Sequence, residues 1–435
     1  MYISPSEAHT RFWIMKKIRR MRAMTRKDRG NRKGRRGANY LNRHLKPHQP
    51  KDVVSFASEL EESTLEQAQQ LAKLPFIYPH VALMPDAHTG LGSSVGTVFG
   101  TIDAVIPAAV GVDIGCGMIA LRTQFTATDL AGKDLTQLRD AIEAAIPLSP
   151  GNYNKDWILP GSADDRCREL AKLAEETDVD LSHSPKWRQQ LGSLGGGNHF
   201  IELCLDETDT VWMFLHSGSR GVGNKIAQKH IAIAKKLMAK WWIPIENNDL
   251  AYLVQGTPEF GNYIKDLHWA QRFAFLNREE MMDRFSTCLS EFMGTDVEEV
   301  ERINCHHNYT QREEHAGHTV WLTRKGAVNA DEGRLALIPG SMGTASYVVE
   351  GKGNIQSLHS APHGAGRRYS RTEARRRFTV EDLASRMTGI VYRPGEAWID
   401  EIPDAYKDID QVMADSRDLV EIKHKLRQVM NVKGT

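Results

Sequence analysis

From about residue 53 the chain alternates between short apolar runs of strand length and longer stretches with helical periodicity. Residues 64–74 (TLEQAQQLAKL) set Leu65, Ala68, Leu71 and Ala72 at helical spacing. Residues 128–146, 162–176 and 264–293 read as helices, and KIAQKHIAIAKKLMAKW reads as a long amphipathic helix that Asn224 would cap. VALMP, GTVFGTI and GMIALRT read as buried strands separated by glycine-rich turns. FIELCL and VWMFLHS form strands on either side of a turn at Asp206–Asp209, and HTVWLTRKGAV, ALIPG and SYVVEG are strand-like as well. No internal repeat and no linker is visible after residue 53. Strands and helices mixed without βαβ regularity predict a single α+β domain.

Composition adds two things to this picture. A chain of 435 residues that is 41% hydrophobic and 26% charged has enough apolar material for a large core. It has no run near the ~18 to 20 apolar residues needed to cross a bilayer, and its basic N-terminus lacks an apolar h-region. The expected location is therefore the cytoplasm, with no membrane partner. The net charge of +1 hides an asymmetry: residues 1–46 hold 15 Lys or Arg against only Glu7 and Asp28. Residues 1–52 are thus expected to be a basic, disordered arm, and 53–435 the catalytic domain. Such an arm is a candidate contact for a phosphate backbone; a solvated tail, or translation upstream of the true start, explains it equally well.

The five cysteines, Cys116, Cys167, Cys204, Cys288 and Cys305, are odd in number, widely spaced and free of C-x-x-C pairs. Reduced thiols are expected, one of which could serve as a metal ligand.

Candidate chemistry sits at strand ends and in glycine-rich turns. Six segments stand out: Met84-Pro85-Asp86-Ala87-His88-Thr89-Gly90; Gly111-Val112-Asp113-Ile114-Gly115-Cys116-Gly117; Gly195-Gly196-Gly197-Asn198-His199-Phe200-Ile201-Glu202; His216-Ser217-Gly218-Ser219-Arg220-Gly221; Asn304-Cys305-His306-His307-Asn308; and Ser360-Ala361-Pro362-His363-Gly364-Ala365-Gly366-Arg367. Singly, each has an ordinary explanation. A histidine at a strand end is more often structural than a ligand, a buried Asp caps a turn, and Cys116 reads equally as a core thiol. No Walker A sequence, dinucleotide fingerprint or H-E-x-x-H is present, which removes the commonest nucleotide and zinc-protease readings. What raises the odds is that separate glycine-flanked segments each present a metal-capable or nucleophilic side chain. Carboxylate, imidazole and thiolate together suit Mn²⁺, Zn²⁺ or Fe²⁺.

At this level the sequence resembles the RtcB family of RNA ligases. The resemblance is carried, in order, by MPDAHTGLGSSVG, PAAVGVDIGCGMIALRT, LGSLGGGNHFIEL, LHSGSRGVGN, INCHHNY, TRKGAV, IPGSMGTASY, HGAGRRYSR, DEIPDAYKDID and the terminal VKG, and spans roughly residues 64–435. It implies central packed β-sheets surrounded by helices, with the active site in a cleft at strand ends. It implies an enzyme that joins an RNA 3′-phosphate or 2′,3′-cyclic phosphate to a 5′-hydroxyl, using GTP and two Mn²⁺ ions. By resemblance Asp113, Cys116, His199, His216 and His307 match the metal ligands, Cys116 bridging both ions, while His306 is structural. His363 matches the nucleophile that takes up GMP, with Asp86 beside the site and Arg220 suited to holding a phosphate. Asn198 matches a phosphate contact, Phe200 and Ser341 lie in the nucleotide pocket, and Gly364, Ala365 and Gly366 let a nucleotide approach the backbone. Glu202 and Lys433 match the residues that read guanine, a carboxylate facing the N–H donors and a lysine facing O6. An activating protein partner is left open, and the expected state is a monomer.

Two features depart from the family pattern. Leu358-His359-Ser360-Ala361-Pro362 replaces the small polar, cysteine-containing stretch before the nucleophile, and the lead-in lacks a Trp-containing segment. Neither removes a ligand. Two rival readings keep the site without the ligation: a metal-dependent RNA phosphodiesterase or phosphatase, and a non-catalytic RNA-binding paralogue. The complete ligand and nucleophile set argues against the second.

Overall fold

The computed structural model describes residues 50–155 and 162–434; the basic arm through residue 49 lies outside them. Strands β1 (Val53–Ser55), β2 (Ile77–His88), β3 (Val95–Thr101) and β4 (Ala104–Val105) come first. They are followed by β5 (Gly117–Thr126), β6 (Phe200–Leu205), β7 (Thr210–Ser217) and β8 (Leu253–Val254). After the 36-residue helix Pro258–Met293 come β9 (Glu301–His306), β10 (Asn308–His315), β11 (His318–Lys325) and β12 (Ala327–Asn329). Strands β13 (Leu335–Ile338), β14 (Ser346–Gly351), β15 (Ser360–Pro362) and β16 (Val420–Val432) follow. They form a five-stranded sheet, β1-β2-β3-β11-β10, and an antiparallel seven-stranded sheet, β13-β14-β16-β6-β7-β5-β9. Two short pairs, β4–β8 and β12–β15, complete the set among the described residues. The architecture is the expected α+β mixture.

Successive strand side chains point to opposite faces, so parity sorts the core. Met118 and Ala120 of β5, Phe200 and Cys204 of β6, and Trp212 and Phe214 of β7 pack between the sheets against Met84, Val98, Val320 and Leu322. The alternate residues Ile119, Leu121, Ile201, Leu203, Met213 and Leu215 pack on Leu138 and Ile142, and on Met281, Met282 and Phe285 of the long helix. Each fully buried side chain of this size stabilises the fold by roughly 1.5–3 kcal/mol. Cys116, Glu202 and His216 share the even parity of the inter-sheet face. In β9 the odd residues Ile303 and Cys305 face the other sheet, which puts His307 on the site side and His306 on the helix side.

Several sequence expectations need correction. The stretch 128–146 is two helices, Ala127–Leu130 and Leu135–Ala145, because Gly132 turns at φ 76° and the Asp134 side chain caps the second by accepting from Thr136 N–H. The long helix starts at Pro258, with Thr257 accepting from Phe260 N–H at 3.3 Å. Asn224 caps nothing: that helix runs Arg220–Trp241, and Ser219 N–H just before it donates to Asp113 Oδ1 at 2.9 Å. Strand β16 was not foreseen, although Leu426, Gln428 and Met430 are buried while Lys425 and Arg427 are exposed. No helix among the described residues is long and apolar enough to cross a membrane.

Candidate active site

A cleft of about 350 Å³ opens where β5, β6 and β7 meet the loops around Ser341 and His363. Its walls include Asp113, Cys116, Asn198, Phe200, Glu202, His216, Ser341, His307, His363, Gly364, Ala365, Gly366 and Lys433. His199, Asp86 and Arg220 are not wall residues; each stands against one that is, or behind the glycine-rich turn.

Two groups of metal-capable side chains share one atom. Cys116, His216 and His307 form the first, and Asp113, Cys116 and His199 the second, with the ligand atoms of each group within 4.8 Å of one another. Cys116 Sγ lies 3.2 Å from His216 Nε2 and 3.4 Å from His199 Nε2, and His199 Nε2 is 3.2 Å from Asp113 Oδ2. The ring orientations are set from behind. His199 Nδ1 donates to Leu194 O at 2.9 Å and His216 Nδ1 to Asn198 O at 3.2 Å, which leaves both Nε2 lone pairs facing the thiol. Burial holds His216 and His307 neutral, well below the ordinary imidazole range. Their Nε2 atoms stand 2.9 Å apart. Converging neutral imidazoles, a carboxylate and a thiol make a donor set that fits divalent cations, with Cys116 in the shared position.

The scaffold under this cluster comes from the long helix. Arg278 is fully buried, and its Nη1 donates to Gly115 O at 2.8 Å and Ser217 O at 3.1 Å, bracketing the cluster's two supporting loops. Its Nη2 lies 3.1 Å from His306 Nδ1, which accounts for His306 facing away from the cleft. Asn277 Nδ2 donates to Ser193 O and Gly218 O, both at 3.2 Å. Gly218 has no room for a side chain, since a Cβ there would lie 2.2 Å from Asp113 Oδ1. Arg278→Met would take the guanidinium donor from Ser217 O and leave Gly115 O with His306 Nδ1 alone, at 2.8 Å. A loss of about 3 kcal/mol is expected, read as a lower Tm by thermal denaturation.

His363 is oriented by Asp86, a residue 277 positions away. Asp86 Oδ2 accepts from His363 Nδ1 at 2.7 Å and from its backbone N–H at 3.1 Å. Asp86 is fully buried, so the tautomer is fixed with the Nε2 lone pair free. The His363 ring centroid lies 4.7 Å from that of His307, next to the metal-capable cluster. The unusual segment before it turns through Leu358 and His359 at φ 54° and 51°. Buried Arg324 holds this turn, donating to both carbonyls at 3.3 Å and to Ser360 Oγ at 2.8 Å. Pro362, the last residue of β15, then pairs with Ala327 of β12.

At the other end of the cleft, β16 pairs with β6 so that Asn431 sits opposite Glu202 and donates to Glu202 Oε1 at 2.8 Å. Lys433 Nζ donates to Glu401 Oε2 at 3.2 Å and lies 6.0 Å from the Phe200 ring centroid. Burial pushes Glu202 up to about 8, only partly opposed by Lys433. The carboxyl therefore holds its proton at neutral pH in the folded chain but ionises near 4.5 when unfolded. The folded state then loses stability relative to the unfolded one as pH rises from about 4.5 to about 8. Glu202→Gln should gain stability over the parent progressively across that window, measured as urea midpoints at pH 5 and pH 8. An equal gap at both would mean that Glu202 titrates normally.

A family model described as "tRNA-splicing ligase RtcB" matches residues 67–434. The chain belongs to the RtcB family of RNA-splicing ligases. The RNA-splicing ligase RtcB of Escherichia coli K12 is 47% identical over 398 residues, covering 86% of this chain and 95% of that protein. The tRNA-splicing ligases RtcB of Pyrobaculum aerophilum and Thermococcus kodakarensis are each 31% identical, over 452 and 419 residues. These alignments cover 87% and 81% of this chain and 92% and 87% of those proteins.

As an RtcB-family enzyme the chain brings its motif residues to one place, with one exception in detail. Arg220 is turned to the back of the glycine turn: its Nε donates to Ser193 Oγ at 3.0 Å, and a Cβ on Gly195 would lie 2.0 Å from its Nη1. Sequence reasoning did not single out Lys325, Arg371, Glu401 or Tyr406, all of which line the cleft. Lys325 is buried and pushed down to about 7 by desolvation, and its Nζ donates to Ser93 O at 2.7 Å. Glu401 gathers Lys433, Arg371 and Tyr406 around one carboxylate. The available signal was their position inside the TRKGAV, HGAGRRYSR and DEIPDAYKDID segments.

Proposed function

We propose that this chain joins RNA 3′-phosphate or 2′,3′-cyclic phosphate ends to 5′-hydroxyl ends, with GTP and two Mn²⁺ ions, through a guanylylated His363. The observation that carries this reading is the pairing of His363 Nδ1 with Asp86, which makes Nε2 the nucleophilic nitrogen of the neutral ring, beside the metal-capable cluster. His363 Nε2 attacks the α-phosphorus of GTP; the P–N bond forms, the α–β P–O bond breaks, and pyrophosphate leaves. An oxygen of the RNA 3′-phosphate then attacks the same phosphorus, the P–N bond breaks, and the RNA end carries GMP through a diphosphate. The 5′-hydroxyl of the second RNA attacks the RNA-borne phosphorus, loses its proton and expels GMP. A cyclic phosphate is first hydrolysed to the 3′-phosphate.

Asp113, Cys116, His199, His216 and His307 would hold the ions, which screen phosphate charge and make attacking oxygens easier to ionise. Asp86 keeps His363 in its nucleophilic tautomer. Asn198 contacts phosphate, Arg220 adds its charge from behind the glycine-rich turn, Phe200 and Ser341 border the nucleotide, and Gly364, Ala365 and Gly366 allow its close approach. Glu202 and Lys433 select guanine. Because Glu202 holds a proton in the folded chain, accepting from guanine N1–H and N2–H₂ requires that proton to leave. The arm, residues 1–52, adds charge for RNA, and 53–435 acts as a cytoplasmic, monomeric catalytic domain.

The test uses RNA labelled in its 3′-phosphate, incubated with a 5′-hydroxyl RNA, Mn²⁺ and either GTP or ATP. The label should enter a phosphatase-resistant internal junction with GTP only. Release of labelled phosphate without joining, and without need of GTP, would replace this reading by a metal-dependent phosphodiesterase or phosphatase.

A further inference from the structure

The helix Arg220–Trp241 carries a pattern that the chemistry above leaves unused. It begins behind the Asp113/His199 cluster, and its 22 residues extend about 33 Å at ~1.5 Å per residue. It contains no Asp or Glu. Lys225, Lys229, Lys236 and Lys240 follow at steps that, at about 100° per residue, confine them to one stripe roughly 60° wide. All four are exposed, while Ile226, Ala227, Ala234, Leu237 and Met238 are buried against the body.

Most of this charge is not cancelled locally. Lys225 donates to a neutral group, His183 O, at 2.9 Å. Among the described residues Lys236 and Lys240 have no carboxylate partner, whereas Lys229 lies 3.3 Å from Asp266 Oδ2. Lys235, on the flank, pairs with Asp249 at 2.6 Å. At its far end the helix stops at Trp241 and Trp242, which are 38% and 91% exposed. Trp242 caps the helix in the left-handed conformation, φ 55°, which leaves its indole in solvent.

We propose that this face is a track for the single-stranded RNA arm leading away from the reacting end, its phosphates along the lysine stripe and a base stacked on Trp242. The proposal rests on RNA being the substrate. Charge complementarity favours RNA over other occupants: a polyanion meets a stripe of cations with no acid on the same helix. A protein or membrane would meet two indoles with no further large apolar side chain along the stripe. Single-strand sites elsewhere combine a cationic path with aromatic stacking in the same way. From Lys225 to Trp242 the track is about 26 Å long, which at ~3.4 Å per nucleotide matches about seven or eight nucleotides.

The experiment compares the full chain with two variants, Lys236→Glu/Lys240→Glu and Trp242→Ala, all three first shown to have the same Tm. Fluorescence anisotropy is read with RNA of about 12 and about 4 nucleotides, ending in a 3′-phosphate or a 5′-hydroxyl, over a range of KCl. Charge reversal should weaken the long RNA by about tenfold or more, flatten its salt dependence by about one to two counterions, and leave the short RNA within about twofold. Trp242→Ala should weaken the long RNA by roughly five- to thirtyfold with the salt dependence unchanged. The end that shows the effect identifies which RNA arm uses the track. Parental binding of the long RNA by both variants would overturn the proposal. So would a change in sedimentation on Trp242→Ala without a change in RNA affinity, which would assign the indoles to a second copy. Failure of the parent itself to bind either RNA would overturn the RNA-ligase reading instead.

Discussion

His363→Ala should lower RNA joining by on the order of 10⁴-fold or more, because the proposed covalent intermediate forms on its ring. The loss should be confined to the steps that use the histidine. Given RNA already carrying GMP on its 3′-phosphate, the variant should join it to a 5′-hydroxyl end at close to the parental rate. Substitution by alanine opens space beside His307 and leaves Asp86 Oδ2 with no donor from the ring. A modest drop in Tm is therefore expected as well, and rescue by the activated RNA separates it from the chemical defect. A variant equally poor with activated RNA would mean that His363 serves the structure or the final step.

The second large effect is expected at Cys116, the one side chain common to both metal-capable groups. Cys116→Ser keeps the volume but offers a hydroxyl that does not ionise near neutral pH, so both positions lose their shared anionic ligand. Bound Mn²⁺, measured by plasma mass spectrometry after gel filtration, should fall from about two ions per chain to well below one, and joining by about 10³-fold or more. His307→Ala contributes to only one group and should cost a single ion. Equal metal content in Cys116→Ser and the parent would remove the thiol from the shared position.

Much of the site was readable because its residues sit where apolar strands give way to glycines. Cys116, Glu202 and His216 fall on the inter-sheet face by the same period of two that sorts Met118, Phe200 and Phe214 into the core. The period also separates His307 from His306, which a bare His-His pair does not. Other features depend on contacts between distant segments. Nothing local in the sequence joins Asp86 to His363. Arg278 reads as an ordinary charge in a helix until its guanidinium is seen to hold Gly115 O and Ser217 O. Lys433 would pass for a tail residue, yet the pairing of β16 with β6 carries it to the cleft wall. The start of the Arg220 helix was missed for a related reason: Asp113 accepts from Ser219 N–H and Gln190 from Val222 N–H, both from different segments, in place of a capping side chain of its own.

The most direct measurement is mass spectrometry of the intact chain and of its peptides after incubation with Mn²⁺ and GTP or ATP. An adduct with the mass of one GMP, formed from GTP alone, labile to acid and confined to the peptide containing His363, is the expected result. An adduct on a lysine such as Lys325 or Lys433, or no adduct under conditions where RNA ends are joined, would contradict a histidine-bound intermediate.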